Sequence, residues 1–152
     1  MPVPLRLGSV GCGSVMQGSY MPEIERLRAR GLVEVAAVCD TAAGQRERVA
    51  GRWGFERVEE DHRAVVEASN IDLVLVLTSM PAHGSIARAA LEAGKHVLVE
   101  KPMAVTLEEA AELLTVARRS PGRLLCAPHV VLSPTYQALW RHIQAGSIGR
   151  PL

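Results

Sequence analysis

Apolar residues fall into two kinds of segment along this chain, and the two kinds alternate. Short, nearly continuous apolar runs occupy Leu5–Val10, Val33–Cys39, Ile71–Leu77, Lys95–Val99 and Leu124–Ala127, and read as strands. Between them apolar residues recur at helical spacing. Met16, Tyr20, Ile24 and Leu27 make one stripe that runs to Gly31, with Pro22 calling for a kink or a fresh helix start. Further helices are predicted over Ala42–Trp53, Asp61–Ala68, Pro81–Gly94, Thr106–Arg119 and Ser133–Ala145. Thr106 and Glu109 form a capping box, and a brief extended piece lies near Phe55–Val58. Gly146, Gly149 and Pro151 signal a closing turn.

Strands and helices alternating at this spacing predict an α/β fold, a doubly wound parallel sheet in one domain over residues 1–152. The Ile71–Leu77 run is apolar on both alternating faces, as a strand in the middle of such a sheet must be. The first unit, LRLGSVGCGSV, is a strand, a glycine turn (Gly11-Cys12-Gly13-Ser14-Val15) and a helix start, the opening of a Rossmann dinucleotide-binding unit. One glycine permits the tight turn, the next lets backbone approach a pyrophosphate, and the helix N-terminus offers free N–H groups to that anion. A third glycine would fall at position 16, where this chain has Met16; an ordinary strand-to-helix turn is the competing account.

Asp40 ends the second strand, where a carboxylate accepts from the adenosine ribose hydroxyls of NAD and repels the 2′-phosphate of NADP. It is equally a helix N-cap, although Thr41 can cap in its place; Arg46 and Arg48 keep NADP as the minority alternative. Ligands of such sheets lie beyond the carboxyl ends of the strands, which gathers Gly11–Val15, Asp40, Thr78–Met80 and Glu100–Pro102 on one edge.

Composition narrows the partners. The chain is 48% hydrophobic and 22% charged with net charge +1, and its basic residues are spread rather than clustered, so no nucleic-acid footprint is expected. No apolar run approaches the ~20 residues of a membrane span, and no basic-then-apolar leader opens the chain. Three cysteines without paired spacing, Cys12, Cys39 and Cys126, fit free thiols in a reducing cytoplasm, and five scattered histidines give no metal site.

The most specific text is Thr78-Ser79-Met80-Pro81-Ala82-His83 followed by Ala93-Gly94-Lys95-His96-Val97-Leu98-Val99-Glu100-Lys101-Pro102. Together with the GCG turn and the VCD strand end it resembles the Gfo/Idh/MocA oxidoreductases. The resemblance implies that Thr78, Ser79, Met80 and His83 lie near the cofactor, with Glu100 and Lys101 beside nicotinamide and substrate. It implies Lys101 as the catalytic lysine at the substrate hydroxyl. A lysine partly desolvated at a strand end can exchange a proton with an alcohol or carbonyl, whereas the competing account is a surface loop lysine. For His83 the alternative is a helix-start residue without chemistry. Pro102 is a candidate cis proline.

This sequence departs from the family pattern in three places. Ser79-Met80 replaces Pro-Asn, and His129 with Val130–Pro134 replaces an Asn-x-Arg-Phe-x-Pro stretch, so that His129 is either a proton-transfer group or a polar strand end. Family enzymes continue into a second, mainly antiparallel domain with the remaining catalytic residues (usually an Asp and a His) and the oligomer interface, expected here after residue 152. The implied whole is a homo-oligomeric NAD(P)-dependent dehydrogenase of a sugar, cyclitol or related polyol. Alternatives are a stand-alone nucleotide-binding or redox-sensing module, and NAD-recycling glycoside cleavage within the same family.

Overall fold

The computed structural model describes residues 3–55, 57–127 and 130–149; His129 and the turn expected at Pro151 fall outside them. Six strands, β1 (Leu5–Val10), β2 (Val33–Cys39), β3 (Val58–Glu59), β4 (Leu73–Val76), β5 (His96–Val99) and β6 (Leu124–Cys126), form one sheet in the order β3-β2-β1-β4-β5-β6. Every neighbouring pair is parallel. The order reverses between β1 and β4, the switch point at which such sheets hold ligands. The helices are α1 (Met21–Ala29), α2 (Ala43–Trp53), α3 (Arg63–Val66), α4 (His83–Glu92), α5 (Leu107–Arg119) and α6 (Pro134–Gln144).

Side-chain alternation along the strands divides the core in two. Val10, Ala37, Cys39, Val74, Val76, Val97 and Val99 point to one face and pack with Val65, Ile86, Leu91 and Leu113 of α3, α4 and α5. Leu7, Val38, Leu75 and Leu77 point to the other and pack with Met21 and Ile24 of α1 and Val49 of α2. On that second face Leu98 is only partly buried, and α6 buries none of its residues. The Ile71–Leu77 run is central as read: β4 pairs β1 and β5, although its ladder spans only Leu73–Val76.

One local expectation is met and two change. Met16–Tyr20 is a π turn and α1 follows it from Met21 with Pro22 in its first turn, the irregularity for which the proline called. Pro22 lacks an N–H and tolerates only that position. Met16 is fully buried in the second core layer, which explains an apolar side chain where a third glycine would stand. The short helix after Asp61 is a single turn, Arg63–Val66, and the extended piece sits two residues later than read, at Val58–Glu59. One half of the capping box forms, Thr106 Oγ1 accepting from the Glu109 amide at 3.1 Å; the Glu109 carboxylate accepts at 2.8 Å from the Val105 amide, one residue before the cap, instead of from Thr106.

The edge opposite the strand carboxyl ends is tied by Arg6 and Asp72. Asp72 accepts from the Arg6 backbone N–H at 2.9 Å, from Nε at 3.0 Å and from Nη2 at 2.7 Å, joining the start of β1 to the residue before β4. These hydrogen bonds, the side-chain one first, hold the Asp72 carboxyl down from its ordinary 3.8 to about 2. A depressed carboxyl stabilises the fold above its unfolded value, and that contribution is lost as pH falls from 3.8 towards 2. Asp72→Asn should therefore cost about 1 kcal/mol near pH 7, roughly 2–4 °C in melting temperature. Melting curves against pH should show the deficit shrinking below pH 3.8.

Candidate functional site

Register assembles the site before any side chain does. Val10 pairs with Cys39 on one side and Val76 on the other, and Val76 pairs with Val99, so four strands end in one row. The residues that follow, Gly11, Asp40, Thr78 and Glu100, therefore leave the sheet along one edge, as the sequence predicts. A cleft of about 400 Å³ opens there, lined in part by Gly11, Gly13, Asp40, Thr78 and Ser79. A groove of about 460 Å³ along α6, walled by Tyr136, Trp140 and Ile143, shares no residue with it and has no ionisable wall beyond a tyrosine.

The two glycines of the turn answer different demands. Gly11 has φ +99°, and a Cβ there would lie 2.5 Å from the Leu77 carbonyl and 2.7 Å from the Thr78 nitrogen. The fold itself requires that glycine. Around Gly13 a Cβ would meet no atom within 4 Å, and its φ is not positive. Nothing in the protein requires this second glycine, so the space beside it suits a group from outside. The helical turn beyond it leaves its first N–H groups without intrahelical partners, which fits a pyrophosphate at this place. Ser14 and Val15 are exposed there, while Cys12 is buried.

Asp40 does not stand free with Thr41 capping α2. Its Oδ2 accepts from the Cys12 amide at 2.8 Å and its Oδ1 from the Ala42 amide at 2.9 Å, and the residue capping α2 is Ala42, with no side-chain bond. The carboxylate bridges the glycine turn to the start of α2. Each oxygen has a further lone pair, so the bridge orients the group without exhausting it. Arg46 is committed as well: Nη1 donates to the Asp40 carbonyl at 2.8 Å and the Thr41 carbonyl at 3.0 Å, and Nη2 to Glu60 at 3.4 Å. Among the described residues Arg48 reaches Gln45, at 3.4 Å.

His83 is placed differently from the expectation of a residue at the cofactor. It is buried, with Nδ1 2.7 Å from the Pro102 carbonyl oxygen and Nε2 3.0 Å from the Thr78 carbonyl oxygen. The ring clasps two loops of the edge from beneath and leaves no nitrogen for the cleft. Thr78 is half-buried; Ser79 and Met80 are exposed at the start of the turn leading into α4. Lys101 is exposed, and among the described residues no carboxylate lies within ion-pairing distance of its amine. The Lys101–Pro102 peptide is cis.

Two contributors escaped the sequence reading. Gln17, on the π turn, donates to the Cys12 carbonyl at 2.6 Å and to Gln45 at 3.1 Å. Tyr20, read only as part of an apolar stripe, donates its hydroxyl to Glu100 Oε1 at 2.9 Å. Burial, then the Glu100 acceptor, push the Tyr20 hydroxyl well above its usual titration range, so it remains a donor. Its only sequence signal was a polar tip on an apolar stripe. Burial also pushes the Cys12 thiol up to about 12 and Cys39 to about 11. Among the described residues no three His, Cys, Asp or Glu side chains cluster as metal ligands, and no helix is long and apolar enough to cross a membrane.

Comparison with known proteins agrees with this geometry. Residues 5–127 match the Gfo/Idh/MocA family model, described as an oxidoreductase family with an NAD-binding Rossmann fold. A D-apiose dehydrogenase of Paraburkholderia graminis is 34% identical over 119 residues, 78% of this chain and 32% of that protein. Among solved structures, the WlbA dehydrogenase of Bordetella pertussis, in complex with NADH and UDP-GlcNAcA, superposes with a TM-score of 0.84 at 25% identity, covering 97% of this chain and 44% of that one. A 3-ketoreductase of Actinomadura kijaniata, in complex with TDP-benzene and NADP, gives 0.83 at 31% identity, covering 97% and 45%. The chain thus spans between a third and a half of the proteins it matches.

The two glycines give separable expectations. Gly11→Ala should destabilise the fold by at least about 1–2 kcal/mol, because an L residue is strained at that φ and meets backbone. Gly13→Ala should melt within about 0.5 kcal/mol of the unaltered chain while weakening NADH binding about tenfold or more. Thermal melts beside NADH fluorescence titrations check both, and a Gly13→Ala chain that binds normally would count against a pyrophosphate there.

Proposed function

The chain belongs to the Gfo/Idh/MocA oxidoreductase family, and from that premise we propose that it is the cofactor-binding half of a dehydrogenase acting on a sugar, cyclitol or related polyol. The observation that carries the reading is the convergence of the Gly11–Val15 turn, Asp40, Thr78–Met80 and Glu100–Lys101 on one edge of the sheet, around space beside Gly13 that no protein atom fills. The nicotinamide supplies hydride transfer when bound. The residues of this chain do the rest: the glycine turn and its N–H groups hold the pyrophosphate, Asp40 accepts from the ribose hydroxyls, and Thr78, Ser79 and Met80 border the cofactor. His83 positions that border from below, and Glu100 lies beside the nicotinamide.

Lys101 is the proposed catalytic residue. Exposed and without a carboxylate partner among the described residues, its amine is free to give a proton to, or take one from, the substrate oxygen as the adjoining carbon exchanges hydride. The remaining substrate contacts, and assembly into an oligomer, belong to a second domain.

NAD is preferred to NADP in this reading. Asp40 puts negative charge where the 2′-phosphate would sit, and the Arg46 guanidinium is already occupied by two carbonyls and Glu60. The thiols weigh against redox sensing: a thiol needs to ionise to react, and Cys12 and Cys39 are held at about 12 and about 11. Unpaired cysteines accord with a cytoplasmic protein.

Titrating the chain with NADH and NADPH is the test. NADH should bind about tenfold or more tightly, and Asp40→Asn should narrow that preference. Binding of neither nucleotide would sink the proposal. In protein carrying the substrate domain, Lys101→Met should lower kcat by about a hundredfold or more with cofactor affinity largely kept.

A further inference from the structure

We propose that Tyr20 is a positioning residue that holds the Glu100 carboxylate away from the Lys101 amine, keeping that amine available for proton transfer. The inference rests on the reading of Lys101 above and adds a residue to it.

Glu100 and Lys101 are neighbours at the end of β5, and a carboxylate beside a lysine would ordinarily pair with it and favour its charged form. Here both carboxylate oxygens are committed elsewhere. Oε1 accepts from the Tyr20 hydroxyl at 2.9 Å, and Oε2 accepts from the backbone N–H of Lys101 at 3.0 Å, so the carboxylate lies back along the chain and no ion pair forms with the Lys101 amine. Of these two bonds only the first comes from another part of the molecule. Tyr20 closes the π turn that follows the glycine turn, and the extra residue of a π turn rotates the side chains beyond it about the helix axis relative to an α-helix. Gln17, earlier in the same turn, is tied to the Cys12 carbonyl. The segment that carries the glycine turn is thereby joined to the lysine loop through the Tyr20 hydroxyl.

The other groups facing this point do not replace Tyr20. The Cys126 thiol, at the end of β6, is pushed up by burial first and by Glu100 second, so it brings no competing negative charge. His83, at the start of α4, meets the loop at the Pro102 carbonyl and, among the described residues, makes no hydrogen bond to Glu100 or Lys101.

The chain has two lysines, which makes the test direct. Lys95 donates to the Ala68 carbonyl at 2.7 Å and the Ile71 carbonyl at 2.9 Å, and serves as the internal reference. Trace acetylation with acetic anhydride across a pH series, read by mass spectrometry of the two lysine peptides, follows Lys101 against Lys95. Tyr20→Phe keeps the ring and removes the hydroxyl, freeing Glu100 to pair with the amine. Below the labelling midpoint Lys101 should slow about two- to fivefold, the fold-change of an exposed pair, with the midpoint moving to higher pH. The effect should vanish in a Glu100→Gln background, where there is no charge to release. An unchanged Lys101 curve, or slowing that persists with Glu100→Gln, overturns the proposal. Should Tyr20→Phe loosen the fold, Lys95 will label faster. Tyr20→His, which restores a donor, then carries the comparison, and its Lys101 curve should return to that of the unaltered chain; failure to return counts against the proposal. Saturating NADH should slow Lys101 labelling in the unaltered chain, and absence of that protection refutes the reading of the site, separately from the role of Tyr20.

Discussion

The approach of Gly11 to the backbone of Leu77 and Thr78 is the constraint on which the functional edge depends. β1 and β4 are hydrogen-bonded neighbours at the point where strand order reverses, and both chains must turn out of the sheet at the same height. A Cβ on Gly11 would sit 2.5 Å from the Leu77 carbonyl, so any other residue would force the two strand ends apart. Because Val10, Cys39, Val76 and Val99 lie in one row, a displacement at this crossing would spread to Asp40 on one side and Glu100 on the other. The glycine turn is thus a structural device before it is a binding device.

Around this crossing several polar groups are held by backbone or by one another. Asp40 spans the Cys12 and Ala42 amides, Arg46 closes over the Asp40 and Thr41 carbonyls, and His83 joins the Pro102 and Thr78 carbonyls. The Asp40 and His83 ties each join two segments that leave the sheet separately, the glycine turn to the start of α2 and the Thr78 loop to the Pro102 loop. Lys101 differs from these groups in having no ion-pair partner among the described residues, which accords with the proton transfer proposed for it.

The two faces of the sheet are treated unequally. One is covered by α3, α4 and α5; the other is covered by α1 and α2 over β1 and β2, while Leu98 and Leu125 towards β6 remain partly or largely exposed. Tyr136, Leu139 and Trp140 of α6 are exposed as well. These residues do not touch the cleft and do not enter the chemistry proposed for it.

The local pattern was sufficient for the elements, the parallel sheet and the convergence of Gly11–Val15, Asp40, Thr78–Met80 and Glu100–Lys101 on one edge. Periodicity, caps and strand-end position are properties of neighbouring residues, and the sequence displays them directly; Pro22 announced the start of α1 and Thr106 the cap of α5. Hydrogen bonds between distant segments were not legible. Tyr20 and Glu100 are 80 positions apart, Cys12 and Asp40 are 28 apart, and the reach of His83 to Pro102 depends on how α4 packs beneath the edge. Only the tertiary structure decided that Thr41 does not cap α2, that a π turn carries Met16 into the core, and that a tyrosine hydroxyl donates to the carboxylate beside Lys101. The reason is physical: which donor meets which acceptor depends on register and packing between elements, and no spacing within one element carries that information.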